Sequence, residues 1–194
     1  MNISIIGQGN MASAIKSHLQ DAGHMVTLIG RDVPDTLDSL VILAIPYAAH
    51  QQFVADHQAK LSDKIIIDIS NPVNFQTLDT LVVPQGESAA SLLQQALPSS
   101  RILKAFNTTS AFMLNAKKVA DRDAPTVLIA GDDADAKHTL ITALQDSSLN
   151  AVDVGSLQQA KQLEALGMLQ MYLVKNGITV KTGGFSLLGL TSDK

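Results

Sequence analysis

The segment Asn2-Ile-Ser-Ile-Ile-Gly-Gln-Gly-Asn-Met-Ala12 decides the fold of this chain. Its short apolar run is typical of a buried strand, and the pattern Gly7-x-Gly9-x-x-Ala12 follows at once. A helical pattern comes next, with apolar residues three or four positions apart at Met11, Ala14, Ile15 and Leu19. An ordinary strand-to-helix turn would also show some of these features. A strand, a glycine turn and a helix in this order nevertheless favour a dinucleotide-binding site.

Each small residue of the turn has a separate physical reason. Gly7 permits the tight turn out of the strand, and Gly9 lets the backbone come close to a pyrophosphate. Ala12 allows the helix to lie near the strand. The free N–H groups and the positive dipole end of the helix then face the phosphates. We therefore expect cofactor contacts from Gly7, Gln8, Gly9, Asn10, Met11 and Ala12.

Composition excludes several classes of function. The 194 residues suffice for one domain, and a net charge of −4 with few aromatic residues argues against nucleic acid as a partner. The chain has no cysteine, so disulfides and thiolate metal sites are excluded. We see no apolar run long enough for a membrane span and no signal peptide, so we expect a cytoplasmic protein without a membrane partner.

Strand and helix patterns alternate along the rest of the chain. They predict an α/β fold over residues 1–194, a doubly wound and mostly parallel NAD(P)-binding Rossmann sheet, with residues 155–194 as a C-terminal helix and tail on the domain or on a dimer partner. We expect strands at 24–30, 40–45, 64–69, 101–106, 126–130 and 151–154, and helices at 11–21, 47–60, 88–97, 132–146 and 156–176. Residues 110–123 predict a short helix and a charged loop. Ser156 and Gln159 can form a capping box for the last helix.

The fold is shortened after the second strand. Only residues 31–39 separate that strand from the next apolar run, and they include Pro34, so we expect a loop in place of the usual helix and strand. Such a loop is long enough to recross the length of a strand. The strand at 40–45 should therefore pair on the other side of the first strand and form the ligand crevice there.

Arg31 follows directly after the second strand, where NAD-specific folds usually carry an acidic residue. A guanidinium at this place can hold a 2′-phosphate through a charge-assisted fork, which favours NADP. Asp32 could instead serve a ribose and favour NAD. Arg31 could also be a solvated loop residue.

Three predicted strands end in distinctive loops at one edge of the sheet. These are Ala44-Ile45-Pro46-Tyr47, Ser70-Asn71-Pro72 and Phe106-Asn107-Thr108. Ile45 and Pro46 can form a wall for a nicotinamide, while the amide and hydroxyl groups can bond ribose or carboxamide. Strand termination and turn formation are the alternative roles of these prolines and asparagines.

Six motifs, in order, give the sequence a family resemblance. They are the glycine turn, Thr27-Leu-Ile-Gly-Arg-Asp32, Leu43-Ala-Ile-Pro46, Asp68-Ile-Ser-Asn-Pro72, Lys104-Ala-Phe-Asn-Thr108, and Asp153-Val-Gly-Ser-Leu157 with Leu163-Glu164. Together they resemble the NADPH-dependent, coenzyme F420-dependent oxidoreductases, a family also seen in the cytosolic domains of membrane ferric reductases.

The resemblance implies hydride transfer between NADP(H) and a flavin or deazaflavin acceptor, in a domain that commonly forms homodimers. By position it implies that Gly7 to Ala12 hold the pyrophosphate and Arg31 the 2′-phosphate. Ile45 and Pro46 would then lie near the nicotinamide ribose, and Asn71, Asn107 and Thr108 would line the crevice. The chain departs from the family in lacking the helix and strand after Arg31, which removes part of the usual adenine flank.

The sequence offers no catalytic acid–base group and no metal site. His50 and His57 lie seven residues apart in a predicted helix but lack a third ligand, and we expect half-buried side chains. We expect Glu164 to be a surface residue paired with Lys161. Ser186 lacks the setting of a nucleophile elbow.

The leading hypothesis is therefore an enzyme, an NADPH-dependent oxidoreductase with a small-molecule acceptor, in which alignment of two rings suffices. A non-catalytic NADP(H)-binding sensor is the alternative. An imine or keto-acid reductase would need a helical substrate domain, for which too little chain remains.

Overall fold

The glycine segment forms strand β1 (Asn2–Ile6) and helix α1 (Asn10–Asp21) in the computed structural model, which describes residues 1–189. The later strands are β2 (Met25–Ile29), β3 (Leu40–Leu43), β4 (Ile65–Asp68), β5 (Arg101–Lys104), β6 (Thr126–Gly131) and β7 (Asn150–Asp153). The later helices are α2 (His50–Leu61), α3 (Ala89–Ala96), α4 (Ala111–Ala116), α5 (Ala134–Leu144) and α6 (Ala160–Lys175). Short 3₁₀ turns at Tyr47–Ala49 and Leu157–Gln159 precede α2 and α6.

The seven strands form one sheet in the order β2-β1-β3-β4-β5-β6-β7. Strand β1 pairs in parallel with β2 on one side and with β3 on the other. The strand order therefore reverses at β1, which creates a crevice beyond the carboxyl ends of β1 and β3. The predicted doubly wound, mostly parallel α/β sheet is confirmed.

Both faces of the sheet are covered, which explains why its strands are continuously apolar. In β1, Ile3 and Ile5 join the core that contains residues of α1, α4 and α5. Ile6 joins the core on the other face, which contains residues of α2 and α3 and the start of α6. Alternate residues of one strand thus point into two separate cores.

The connection from β2 to β3 contains neither a helix nor a strand, as the sequence predicts. It is held by polar contacts with its surroundings. Ser4 Oγ donates to Asp38 Oδ2 at 2.7 Å. The ammonium groups of Lys60 and Lys64 each donate to a carbonyl of this loop at 2.9 Å. The loop therefore packs against the domain without an additional strand outside β2.

Strand β6 runs antiparallel to β5, whereas the four strand pairs on the crevice side of β5 are parallel. Gly131 permits this close pairing, because a Cβ atom there would lie 2.3 Å from Leu103 Cδ2. The carboxyl ends of β1 to β5 consequently share one edge of the sheet, and that of β6 lies at the opposite edge.

The last long helix begins differently from the prediction. The Ser156 side chain makes no capping hydrogen bond, and residues 157–159 form a 3₁₀ turn before α6 starts at Ala160. The carboxylate of Asp132 accepts from the N–H of Leu157 at 2.9 Å and takes the place of a local cap. The predicted Ser156–Gln159 capping box was wrong, because the N–H of Gln159 donates to the backbone oxygen of Ser156 at 3.0 Å and not to its side chain.

The tail after α6 packs on the domain itself. Gly177 ends the helix with φ +67°, and the N–H of Ala120 donates to Thr182 O at 2.9 Å. Gly184 lies so close to Gln170 and Met113 that a Cβ atom would come within 2.8 Å of each. The end of the predicted tail, residues 190–194, lies outside the described residues. Across residues 1–189, no helix is long and apolar enough to cross a membrane.

Candidate dinucleotide-binding site

The glycine turn has the geometry that a phosphate cradle needs. Gly7 adopts φ +126°, and its N–H donates to Ile29 O at 2.8 Å. A Cβ atom on Gly7 would lie 2.3 Å from Ala44 O, so only glycine fits between β1 and the loop after β3. Gly9 is the N-cap of α1, receives no side-chain capping bond, and has open space where a Cβ would be. The first N–H groups of α1 are therefore available to a ligand.

The predicted residues of this turn divide into exposed and buried positions. Gln8, Gly9 and Asn10 are exposed, Met11 is half-buried, and Ala12 is fully buried in the core beneath α1. Ala12 thus serves the close approach of helix and sheet, while the exposed positions face the crevice.

A groove of about 360 Å³ lies beside the turn and joins three strand ends. Its lining residues come from β1 and its turn, the loops after β2 and β3, the 3₁₀ turn before α2, and α2 itself: Ile6, Gly7, Gln8, Gly30, Arg31, Ile45, Ala49, Phe53 and His57. Gly30 leaves room for the side chain of Gln8, whose amide would lie about 3.0 Å from a Cβ at that position. The structure therefore brings Gly7, Gln8, Arg31 and Ile45 together.

Helix α2 contributes two residues to this groove that sequence analysis did not assign to it. The rings of Phe53 and His57 lie 4.7 Å apart, tilted by 59°, and both side chains are half-buried. Their spacing of four residues was the available signal, because residues one turn apart share a helix face. Residues of α2 and Arg31 thus line the same groove.

Asn71 and Asn107 bond mainly to each other. Asn71 Nδ2 donates to the carbonyl of Asn107 at 2.8 Å, and Asn107 Nδ2 donates to Asn71 Oδ1 at 2.9 Å and to Leu163 O at 2.8 Å. Helix α6 closes over this pair at Gly167, where a Cβ would lie 2.4 Å from Asn71 Oδ1. The two amides thus join the tips of β4 and β5 to α6, and Asn107 Oδ1 is left without a partner.

The remaining predicted residues lie in different surroundings. Pro46 is exposed and Tyr47 half-buried beside the crevice, next to Ala44, whereas Pro72 is buried. Thr108 is also buried and lines a separate cavity of about 160 Å³, together with residues of β6, α6 and the tail. The structure does not bring Thr108 into the groove beside the glycine turn.

A buried group of charges lies beneath the tips of β4 and β5. Lys104 Nζ lies 2.8 Å from Asp68 Oδ2, 2.8 Å from Glu164 Oε1 and 2.6 Å from Ser70 O, and all three charged side chains have 0% exposure. The three acceptors match the three N–H groups of the ammonium. We call Asp68, Lys104 and Glu164 the charge cluster.

The expectation for Glu164 was wrong. Its carboxylate is paired with Lys104 rather than Lys161, and the backbone N–H of Ala89 donates to both of its oxygens at 3.0 and 3.1 Å. Docking of α6 against the start of α3 buries this face of α6. A lysine and an aspartate at the ends of otherwise apolar strands were the available signal, because buried charges need partners.

The two carboxyl groups of the charge cluster differ in their pKa. Burial raises the pKa of Asp68, but Lys104, His50 and the hydrogen bonds from Lys104 and Ser70 outweigh it and hold the pKa below its ordinary value. Burial raises the pKa of Glu164 above its ordinary value despite the attraction of Lys104, and the nearby Asp68 adds to the rise. Asp68 is therefore the more firmly ionised partner.

His50 packs against this cluster, with Nε2 3.9 Å from Asp68 Oδ1. It is buried rather than half-buried, and neither ring nitrogen makes a well-formed hydrogen bond. Burial lowers the pKa of His50, while Asp68 opposes the shift. Within residues 1–189 no group of three His, Asp or Glu side chains could hold a metal ion.

Comparison with known proteins identifies relatives among reductases. No protein-family model matches the chain. The metalloreductase STEAP3 of Rattus norvegicus is 29% identical over 182 residues, which cover 84% of this chain. The chain spans 36% of the length of that relative.

Two further proteins match over a larger share of their own length. The F420-dependent NADP reductase of Methanocaldococcus jannaschii is 28% identical over 162 residues, covering 80% of this chain and 71% of the relative. A candidate F420-dependent NADP-reductase from Arthrobacter sp. FB24 superimposes with a TM-score of 0.81 at 25% identity, over 97% of this chain and 100% of its own. The chain therefore resembles coenzyme F420-dependent NADP reductases in both sequence and fold.

Proposed function

We propose that this chain is an NADPH-dependent reductase that binds its cofactor in the groove beside the glycine turn. The observation that carries the proposal is the convergence of that turn, Arg31 and Ile45 on one groove of about 360 Å³. The names of its relatives, which are reductases of NADP or of metals, support this reading.

The turn fits a pyrophosphate. Backbone N–H groups of residues 8–10 are the donors we assign to it. The N–H of Gly7 is bonded to Ile29 O, so Gly7 serves the turn, and Met11 and Ala12 seat α1 behind it. Gly9 is the residue that best supports this assignment, because the space where a Cβ would be is open and lets a phosphate approach the backbone.

Arg31 is the residue that we assign to the 2′-phosphate. Its side chain lines the groove and is exposed, so it can turn toward a ligand at little cost in packing. A guanidinium can donate two parallel hydrogen bonds to a phosphate group. The adenosine ribose of NADH carries a hydroxyl in place of the 2′-phosphate and cannot accept such a pair.

Phe53 and His57 are the residues that we assign to the adenine. Both side chains line the groove on the side that α2 forms. An aromatic ring beside a groove offers a stacking surface, and Phe53 and His57 place two rings there, 4.7 Å apart.

The nicotinamide end of the cofactor is assigned to the tips of β3, β4 and β5. Ala44, Ile45, Pro46 and Tyr47 form one wall in this proposal. Asn71, Pro72, Asn107 and Thr108 belong to the other tips, where the locked asparagine pair provides a rigid support. The chemistry that NADPH supplies when bound is a hydride, and we propose a flavin, deazaflavin or small quinone as its acceptor.

Titration calorimetry with NADPH and NADH tests the cofactor assignment. For Arg31→Ala we expect NADPH affinity to fall by about ten- to hundredfold while NADH affinity changes little, because one charge-assisted contact is lost. Arg122→Ala is the matched control, since Arg122 is exposed in a loop away from the groove. Equal weakening of both cofactors, or no change, would contradict the assignment.

Oxidation of NADPH in the presence of each acceptor class tests the reaction. A protein that binds NADPH tightly but oxidises it with no flavin, deazaflavin or quinone would favour the sensor function instead. In that case a partner protein should bind with an affinity that depends on whether NADP is oxidised or reduced.

We also propose that residues 1–194 act as one domain in a homodimer. Large apolar side chains are exposed on α6, on the adjoining loop and in the tail: Leu169, Tyr172, Phe75, Ile178 and Val180. Lys175 Nζ donates to Phe75 O at 3.4 Å and holds the loop beside the end of α6. Light scattering should show a dimer that Tyr172→Lys weakens, and a wild-type monomer at micromolar concentration would refute the proposal.

A further inference from the structure

The charges of the charge cluster do not cancel. Asp68 and Glu164 contribute two carboxylates, and Lys104 contributes one ammonium, so the fully ionised cluster has a formal charge of −1. Asp68 also accepts from the N–H of Ser70 at 2.8 Å, which completes its share of the pairing. Glu164 has the same kinds of partner, Lys104 and the backbone N–H of Ala89, so the excess negative charge belongs to the cluster as a whole.

The cluster lies directly beneath the part of the site that we assign to the nicotinamide. Asp68 is the last residue of β4, and Lys104 is the last residue of β5. The Ser70–Pro72 tip begins two residues after Asp68, and Lys104 Nζ donates to the carbonyl of Ser70 at 2.6 Å. The cluster and the tip thus form one rigid unit.

Its negative field reaches the tip of β3 as well. Burial raises the pKa of Tyr47, and the charges of Glu164 and Asp68 raise it further. Tyr47 directly follows Pro46 in the wall assigned to the nicotinamide. The cluster therefore acts on both sides of the crevice.

We propose that the charge cluster makes the site prefer the oxidised, cationic nicotinamide over the reduced, neutral ring, and so sets the redox balance of the bound cofactor. This inference rests on the proposed function. NADP⁺ and NADPH share their phosphates and differ at the nicotinamide by one hydride, which changes the ring charge by one. A buried negative charge therefore stabilises one form selectively, because little water is present to screen it.

The other groups around the cluster add no charge of their own. His50 on α2 has a lowered pKa, caused mainly by burial, and is neutral at neutral pH. Tyr47 has a raised pKa and is neutral as well. On α3, the backbone N–H of Ala89 faces the carboxylate. Lys104 and Asp68 largely balance each other, so removal of the Glu164 charge is the cleanest perturbation.

The test is the ratio of the Kd values for NADP⁺ and NADPH, measured by calorimetry on wild type and Glu164→Gln at pH 8. We expect Kd(NADP⁺)/Kd(NADPH) to rise on the order of tenfold, because the attraction between one poorly screened carboxylate and one ring charge is lost. Glu87→Gln, which removes a half-buried carboxylate outside the cluster, should leave the ratio unchanged.

A purely structural role of Glu164 would weaken both cofactors alike and leave the ratio unchanged, and that result would overturn the inference. If Glu164→Gln does not fold, Asp68→Asn applies the same change of charge and should move the ratio in the same direction. A wild-type protein that binds neither nucleotide would refute the proposed function itself, which separates the two failures.

Discussion

Two glycines in one turn should respond to alanine in opposite ways. In Gly7→Ala the backbone of the new alanine must adopt φ +126°, and its Cβ would lie 2.3 Å from the backbone oxygen of Ala44. The conformational strain costs about 1–3 kcal/mol and the overpacking another 1–3 kcal/mol. We therefore expect a loss of roughly 2–6 kcal/mol in the free energy of unfolding, enough to unfold a marginally stable domain.

Gly9→Ala should leave the fold intact. Gly9 has φ −78° and ψ −179°, which any residue adopts, and no atom lies within 4 Å of the position that a Cβ atom would take. Replacing an N-cap glycine by alanine costs a few tenths to about 1 kcal/mol, while the reduced freedom of the unfolded chain returns about 0.4–1 kcal/mol. The two effects nearly cancel, and stability should change by less than about 0.5 kcal/mol.

The same methyl group should block the cofactor. It would stand where the pyrophosphate must approach the backbone, and the loss of one charge-assisted hydrogen bond alone weakens binding about ten- to hundredfold. Urea unfolding followed by circular dichroism measures the stability of both variants, and calorimetry with NADPH measures binding. A stable Gly9→Ala protein that binds NADPH like the wild type would refute the assignment of the turn to the pyrophosphate.

Three further changes probe the groove and the buried charges. Phe53→Ala should weaken the binding of NADPH and of NADH alike by about three- to tenfold through lost stacking. Gln52→Ala, on the exposed side of α2, should leave both affinities unchanged. Calorimetry measures the affinities, and an unchanged affinity in Phe53→Ala would contradict the adenine assignment. Lys104→Met should lower the free energy of unfolding, measured in urea, by about 3–5 kcal/mol, because it leaves two buried carboxylates without their cation. A loss smaller than that of a surface Lys→Met variant would contradict the pairing. The pKa of both His18 and His50 is lowered mainly by burial, so the unfolded chain binds more protons than the folded chain. The free energy of unfolding should therefore fall as pH drops below about 6.5. Urea midpoints at pH 7.5 and 5.5 test this, and His18→Gln should reduce the difference between the two midpoints.

Local features of the chain could be predicted well. The strand, turn and helix at residues 2–21 depend on glycine conformations and apolar spacing within a short segment, so no distant contact is needed to define them. The shortened link before Leu40 was equally clear, because nine residues with a proline cannot hold a helix and a strand. The pairing of β3 beside β1 followed from the usual geometry of such sheets.

The surroundings of single polar side chains were harder to predict. Asn71 and Asn107 were expected to offer free amides, yet they bond to each other and to α6. Thr108 follows Asn107 directly but lies in a different cavity, since the backbone turns after β5. In each case the outcome depends on where α6 and the tail dock, and the apolar pattern of a helix does not specify its neighbour.

By itself, the sequence determined the sheet, its shortening and the glycine turn, because steric restrictions on glycine and the periodicity of apolar residues act over short distances. Only the tertiary structure decided the charge cluster. Ala89 and Glu164 are 75 positions apart, and Asp68 and Lys104 are 36 positions apart, yet they share one buried contact network. The sequence does not show whether a charged side chain is solvated by water or paired with a buried partner. For Glu164, the docking of α6 on α3 buries the carboxylate and pairs it with Lys104.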